Sequence, residues 1–354
     1  MALRFMDSFE VYGTAETQLY EKWTGYIANI GDGYIENTSG IGGSPGARTG
    51  TGYLAVANNG IFKTIDNQGT WIVGAAFNFP SFEDGGGITI RNNGNIAIAW
   101  VQQPDGRIQV GFGAGGSGTA TSAVAINVNA WNYVELYTVL GTSGTAILHI
   151  NGQTAISTTG FNITSFTSAD VINVVGGGGN QEVYVDDLYV YDGSGTDSYG
   201  YSSTCTGFAG DVHIGTLTAS ADTATIQWVP SSAGAHFSLI NTQPPSVDVT
   251  YVQSTMTGST SSGPTDIYKF TSPPAAAGII LGAQSNIFAR KTDVANRAVV
   301  VVTTNAQGSS TGNDLYLNLD YIDYLNQFDV NPNSGSAWTP AAISTTSWGV
   351  QVVI

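Results

Sequence analysis

Two turn dipeptides constrain this chain more than any other feature. RNNGNIAIAW carries Asn93-Gly94, and QQPDGRIQVGF carries Asp105-Gly106. Each sits between runs in which apolar and polar residues alternate. Asn-Gly and Asp-Gly supply the positive φ that a tight hairpin needs. GITIRNNGNIAIAWV (87–101) and RIQVGF (107–112) must therefore fold back on one another as an antiparallel meander. WIVGAAFNF (71–79), YVELYTVL (133–140) and TAILHING (145–152) repeat the pattern. Helical spacing is almost absent, and only DVANRAV (293–299) reads as a short helix. Strands separated by frequent turn signals expect an all-β sandwich or barrel.

Composition says what covers such strands. Charged residues are 10% of the 354, against about 25% in an average soluble protein. The polar surface must be built from Asn, Ser, Thr, Gln and Gly. Net charge is −16, which repels phosphate backbones and anionic lipid. Nucleic-acid binding and membrane insertion are therefore not expected. No stretch approaches the 18 or so apolar residues of a membrane-spanning helix. MALRFMDSFEVYG has no signal-peptide core, so the chain is expected to be made in the cytoplasm and not exported by the usual route. Cys205 is the single cysteine. No intrachain disulfide can form, and it reads as a polar-loop residue.

DGSGTDSYGYSSTCTG (192–207) is small and polar throughout. It divides a first domain at 1–192 from a second at 208–354, with 193–207 as linker. The second also reads as β. Its expected strands are DVHIGTLT (211–218), ATIQWV (224–229), HFSLI (236–240), DIYKF (266–270), GIILGAQSNIFAR (278–290), RAVVVVTT (297–304) and WGVQVVI (348–354). AVVVV is the continuous apolar run of a strand buried on both faces.

Catalytic groupings do not emerge. His149, His213 and His236 stand at no metal-ligand spacing. His149 reads as a strand residue on a half-exposed face. GxSxG and Walker loops are absent, and GGGG (176–179) is a turn and not a phosphate cradle. The Glu-x-Asp-x-Glu triplet of sandwich-fold glucanases is also missing. The chain is thus expected not to be an enzyme. EVYVDDLYVYD (182–192) nevertheless sets Asp186 beside Asp187. Strict alternation places Val183, Val185, Asp187, Tyr189 and Tyr191 on one face, and Tyr184, Asp186, Leu188 and Val190 on the other. The acids then cannot act as one catalytic pair. They read as structural, with one carboxylate pinning a neighbouring loop, and they are the weak candidates for a Ca2+ site. NPNSGS (331–336) and YDGSGTD (191–197) also offer oxygens, but Asn, Asp and Gly in turns are explained by backbone conformation alone. Tyr26, Tyr34, Tyr199 and Tyr201 lie in Gly/Ser/Asn-rich stretches and would suit a glycan or a protein partner.

AWNYVELYTVLGTSGTAILHINGQTAI (130–156) resembles laminin-G and concanavalin A-like jelly-roll domains. The resemblance implies that Trp131 anchors a core, that Asn151-Gly152 turns a hairpin, and that 182–192 pairs with a first strand in RFMDSFEVY (4–12). Across the whole chain, MALRFMDSFEVY, KWT, GARTGTGYLAV, VDDLYVYDGSGT, GFAGDVHIGTLTASADTATIQWVPSSAGAHFSLINTQPPSVDVTYV and NPNSGSAWTPAAISTTSWGVQVVI resemble tailed-bacteriophage virion proteins. That implies a virion-located homo-oligomer, assembled in the host cytoplasm among other virion proteins. It would sit in the tail or tail fibre and contact host-surface glycans. The competing expectation is a capsid decoration protein of the same fold that binds no sugar.

Overall fold

The computed structural model describes residues 2–12, 16–26, 33–37, 46–57, 60–82, 85–112, 119–161, 166–177, 182–193, 196–197, 200, 207–256, 263–274 and 278–353. Contacts divide the chain into two units. One is chiefly Leu3–Gly195 with Cys205–Ile214, and the other is Thr196–Thr204 with Gly215–Ile354.

In the first unit the elements run β1 (Leu3–Asp7), α1 (Glu16–Lys22), β2 (Gly25–Tyr26), β3 (Gly33–Asn37), β4 (Gly52–Ala57), β5 (Gly60–Gln68), β6 (Thr70–Asn78), β7 (Gly87–Asn92) and β8 (Asn95–Gln102). They continue with β9 (Arg107–Phe112), β10 (Thr119–Ala125), β11 (Trp131–Val139), β12 (Gly144–Ile150), β13 (Gln153–Phe161), β14 (Ala169–Val175) and β15 (Glu182–Asp192). One sheet has the order β13-β12-β11-β6-β15-β4-β3, with β1 also on β15; the other has the order β10-β9-β8-β7-β14-β5-β2. The chain changes sheet between β1 and β2, β2 and β3, β4 and β5, β5 and β6, β6 and β7, β10 and β11, β13 and β14, and β14 and β15. That is the wrapped antiparallel sandwich of a jelly roll. Phe77 of β6 meets Trp100 of β8 edge to face, with centroids 4.6 Å apart, so the two sheets close over a shared core.

The turn chemistry is where the sequence places it. Asn93 and Gly94 take φ of 46° and 82° between β7 and β8, and Gly106 takes 79° between β8 and β9. Asn151 and Gly152 do the same between β12 and β13. Trp131 opens β11, and β1 pairs antiparallel with β15. Helix α1 was not expected. Its ETQLYEK buries Leu19 completely, but a single turn or two carries too little periodicity to stand out.

The second unit holds β16 (Ala219–Ile226), β17 (Val229–Pro230), α2 (Phe237–Ile240), β18 (Val252–Gln253), β19 (Thr265–Phe270), β20 (Ala283–Ala289), β21 (Ala298–Asn305), β22 (Gly308–Thr311), β23 (Leu315–Tyr316), β24 (Ile322–Phe328), α3 (Pro340–Thr345) and β25 (Ser347–Val352). The main sheet runs β16-β19-β25-β21-β22, with β23 on β21, and β20 and β24 form a separate ribbon. On one face of β21, Val301 packs with Phe328, Trp338 and Ile343. On the other, Val300 and Val302 pack with Ile267. The apolar run AVVVV is thus buried on both faces, and the unit is a lopsided β-sandwich.

Several expected elements differ. HFSLI contains the short helix α2, begun by Asp222, whose carboxylate accepts the His236 and Phe237 N–H groups at 2.9 and 2.7 Å. DVANRAV forms no helix. Its first residues make a loop closed by Arg297–Asp293 pairing at 2.6 Å, and its end is already strand β21. The 211–218 segment forms no strand: the Val212 carbonyl and the Ile214 N–H are taken by side chains, as described below, and Thr218 exchanges bonds with Thr271. Consequently residues 208–214, expected to begin the second domain, belong to the first unit.

Candidate functional site

Strand β15 contains a bulge. Asp186 opposes Ala76 and Tyr189 opposes Gly74 on β6, so three steps on one strand match two on the other. Asp187 supplies the extra residue in a left-handed conformation, φ 51°, which Asp tolerates better than most residues. The bulge overturns strict alternation. Val183, Val185, Leu188 and Val190 now share the face toward the other sheet. Tyr184, Asp186, Tyr189 and Tyr191 share the opposite one. The sequence reading had Leu188 and Val190 with Asp186, and Tyr189 with Val183, because period two carries no sign of an inserted residue.

The bulge also brings the two acids together on one loop instead of separating them. The Arg48 and Thr49 N–H groups donate to Asp186 Oδ2 at 2.9 and 3.0 Å, and the Asp187 N–H donates to Asp186 Oδ1 at 2.8 Å. Arg48 Nη1 pairs with Asp187 Oδ2, and Thr49 Oγ1 donates to the same oxygen at 2.8 Å. Both carboxylates are fully buried. Burial pushes the Asp186 carboxyl up to about 8, the charge of Asp187 adds to this, and the three N–H donors oppose it.

A strap, residues 207–214, lies over this face. The Gly210 N–H donates to Glu135 Oε1 at 2.8 Å, the Ala209 N–H to Tyr189 Oη at 3.2 Å, and the Ile214 N–H to Asp187 Oδ1 at 2.7 Å. Arg48 Nη1 donates to the Val212 carbonyl at 2.7 Å, and Nη2 pairs with Asp211. The Arg48 guanidinium stacks over Tyr133, 5.0 Å from the ring centroid. Phe208 stacks on His149 at 3.8 Å. The Tyr189 hydroxyl reaches across Gly74 to donate to Glu135 Oε1 at 2.6 Å. A Cβ at Gly74 would meet the Tyr189 ring at 2.3 Å, so glycine is required beneath it. Burial holds the Tyr133 and Tyr189 hydroxyls well above the usual tyrosine range, with Asp187 and Glu135 charges raising them further, so both stay protonated donors.

Ca2+ finds little room at Asp186 and Asp187. Protein donors occupy their oxygens and a guanidinium supplies the counter-charge. Among the described residues, no three His, Cys, Asp or Glu side chains gather to hold a metal ion. The 331–336 turn closes on itself through the Asn331 N–H to the Ser336 carbonyl at 2.9 Å. Tyr26 and Tyr34 lie in β2 and β3, but their side chains, like Tyr199, Tyr201 and Cys205, fall outside the described residues.

In the second unit, Asp266 is the counterpart. Its Oδ1 accepts the Gln227 and Trp228 N–H groups at 2.6 and 2.8 Å; its Oδ2 lies 2.7 Å from both His236 Nδ1 and Tyr268 Oη. On the other side of the same sheet lies an open groove of about 620 Å³. Thr225, Gln227, Thr265, Thr311 and Gln351 line it around Ile267 and Val302, an uncharged hydrogen-bonding surface.

The sequence reading singled out Asp186 and Asp187 but not Arg48, Tyr133, Glu135, Tyr189 or the strap. One signal was present. In a chain with 10 basic residues, an arginine in GARTGTG is a scarce charge placed among small residues.

No family model matches the chain, and no curated protein matches it. Among solved structures, an endo-β-1,4-glucuronan lyase from the fungus Trichoderma reesei is similar over 53% of this chain and 94% of its own, at 12% identity and a TM-score of 0.39. The cellulose-induced protein Cip1 covers 53% of this chain and 96% of its own, at 16% identity and a TM-score of 0.39. The Caenorhabditis elegans galectin LEC-6 covers 39% and 95%, at 16% identity and a TM-score of 0.28. Scores below 0.5 say nothing about ligand or chemistry.

Proposed function

We propose that the chain is a structural protein of the tailed-phage virion, exposed on the tail or tail fibre, whose jelly-roll unit meets host-surface glycans. It works as architecture and not as an enzyme. The observation that carries this reading is how the ionisable groups are used. Asp186, Asp187, Arg48 and Glu135, a charged cluster on the larger sheet, all bind segments of the same chain. A catalytic set needs groups free to meet a substrate. The whole-chain resemblance to virion proteins supports the same reading, as does an exterior of neutral hydrogen-bonding residues suited to sugar hydroxyls.

Gold-labelled antibody against the protein, applied to purified virions, tests the location. Label on the tail is the expected result, and label on the head replaces this reading with capsid decoration. Binding of the isolated protein to host cells, competed by surface polysaccharide, tests the adhesin role. Cleavage of any oligosaccharide by the purified chain would overturn the non-enzymatic assignment.

A further inference from the structure

The strap is held in an unusual way. It forms no ladder with a neighbouring strand. Side chains take its backbone groups one by one: Tyr189 the N–H of Ala209, Glu135 that of Gly210, Asp187 that of Ile214, and Arg48 the carbonyl of Val212. Phe208, Ala209, Val212 and Ile214 pack on the cluster that contains Tyr133 and Tyr189. This is a peptide-binding surface, with two carboxylates placed for N–H groups, a guanidinium for a carbonyl and aromatic rings for apolar side chains. Gly210 shapes the peptide to fit, with φ of 83° and its carbonyl accepting the Val212 N–H at 2.9 Å.

The chain path adds a second observation. The strap is not continuous with the first unit. Residues 196–204, immediately before it, and everything from Gly215 onward belong to the second unit. Asp197, for example, accepts the Asp329 N–H at 2.9 Å. The first unit therefore receives the strap from a segment flanked on both sides by the second. The chain passes between the two units at 195–196, 204–205 and 214–215.

We propose that the strap is exchangeable between copies: residues 207–214 of one chain dock on the Arg48–Glu135–Asp187 surface of another, and the protein oligomerises through this contact. The occupant is a second copy because the surface is fitted to this one sequence, at four backbone positions and four apolar side chains. Without a strap, Glu135 and Asp187 lose these backbone donors and the Tyr133–Tyr189 cluster loses the apolar side chains that pack on it, all of which the strap of a second copy restores. Such exchange adds no contact that the single chain lacks, which makes it a low-cost route to an oligomer. The inference stands apart from where the protein sits in a particle.

The test uses the full chain carrying two different affinity tags, co-expressed and purified through both in succession, with mass read by light scattering. A mixed-tag species is expected. Gly210→Pro removes the N–H given to Glu135 and cannot adopt the required φ. It should reduce the mixed-tag yield at least about tenfold, the effect of about 1.4 kcal/mol in an association constant. A synthetic peptide of residues 207–215, labelled with fluorescein, should bind the Gly210→Pro chain saturably and fail to bind it when Arg48→Ala is added. Circular dichroism of each variant confirms that it is folded. The proposal is overturned if the wild-type chain yields no mixed-tag species at any concentration, or if that species forms equally well with Gly210→Pro. Tail labelling that persists while exchange fails would leave the virion reading standing and remove this one.

Discussion

The two units each bury a carboxylate cluster against backbone N–H donors, and they balance it differently. In the first, the guanidinium of Arg48 pairs with Asp187, and among the described residues Asp186 is met by backbone N–H groups and no cation. In the second, the single Asp266 meets two N–H groups, an imidazole and a phenol. Both clusters hold irregular segments to a sheet. The first is over-supplied with negative charge and depends on a distant residue, since Arg48 and Asp187 are 139 positions apart. The second is assembled within about one-eighth of the chain and needs no full counter-ion. The contrast teaches where each unit is vulnerable: the first to loss of one cation and to rising pH, the second to loss of one acceptor.

Removing the cation should have the largest effect. Arg48→Ala leaves Asp187 buried without its partner and unfastens the strap, and should destabilise the first unit by about 3–5 kcal/mol in denaturant titrations. Arg48→Lys should recover part of this, since an ammonium cannot serve Asp187, Asp211 and the Val212 carbonyl in one plane. If Arg48→Ala costs less than Asp266→Ala, the comparison fails. Asp266→Ala is expected to cost about 3 kcal/mol, because it orphans two backbone N–H groups and the Tyr268 hydroxyl. Asp266→Asn keeps an acceptor for Gln227 and Trp228 and should cost less.

Gly74→Ala sharpens the picture in the first unit alone. The new methyl displaces the Tyr189 ring and its bond to Glu135, at about 1–3 kcal/mol. Adding Tyr189→Phe should then cost little more, because the hydroxyl bond is already lost.

pH provides a gentler test. The Asp186 carboxyl has a value of about 8 when folded against 3.8 when unfolded. Between those values the folded chain holds a proton that the unfolded chain has released. This contribution to stability is therefore complete below about pH 4 and declines as pH rises toward about 8. Asp186→Asn should flatten that decline in chemical denaturation measured across the range, over a constant offset for the altered hydrogen bonds. An unchanged slope would show that the neighbouring N–H donors outweigh burial. The smallest effect should come from Asp248→Ala. Its pairing with Arg290 and Tyr321 is solvent-exposed, and thermal unfolding of the second unit should not shift measurably.

How much of this was legible differs between the units for a physical reason. Alternation, turn dipeptides and the apolar run AVVVV report local backbone preference, and they place β6 to β9, β11, β12, β21 and β25 closely. The bulge at Asp187 is decided by what lies across from it on β6, and the strap in part by distant side chains, with Glu135 75 positions from Gly210 and Arg48 164 from Val212. DVHIGTLT alternates like a strand, yet its Ile214 N–H goes to the Asp187 carboxylate and its Val212 carbonyl to Arg48 instead of to a neighbouring strand. HFSLI likewise reads as a strand until Asp222 caps it. Local pattern chose correctly wherever a ladder partner was available. It failed at 211–214 and at 236–240, where the carboxylates of Asp187 and Asp222 take backbone N–H groups.

The bulge in β15 has a consequence for how this chain can change length. Deleting a residue elsewhere in 182–192 would exchange its two faces, turning tyrosines toward the other sheet and valines toward the strap. At Asp187 the strand already carries one residue more than its neighbour. A deletion there restores the flat register and leaves Val183, Val185, Leu188 and Val190 facing the core. It removes the carboxylate that holds Arg48, Thr49 and Ile214, and the backbone groups that bond Asp186 and the Tyr133 hydroxyl. In β15, this is the position where chain length can vary without rewriting the sandwich, and the feature that such a variant forfeits is the strap.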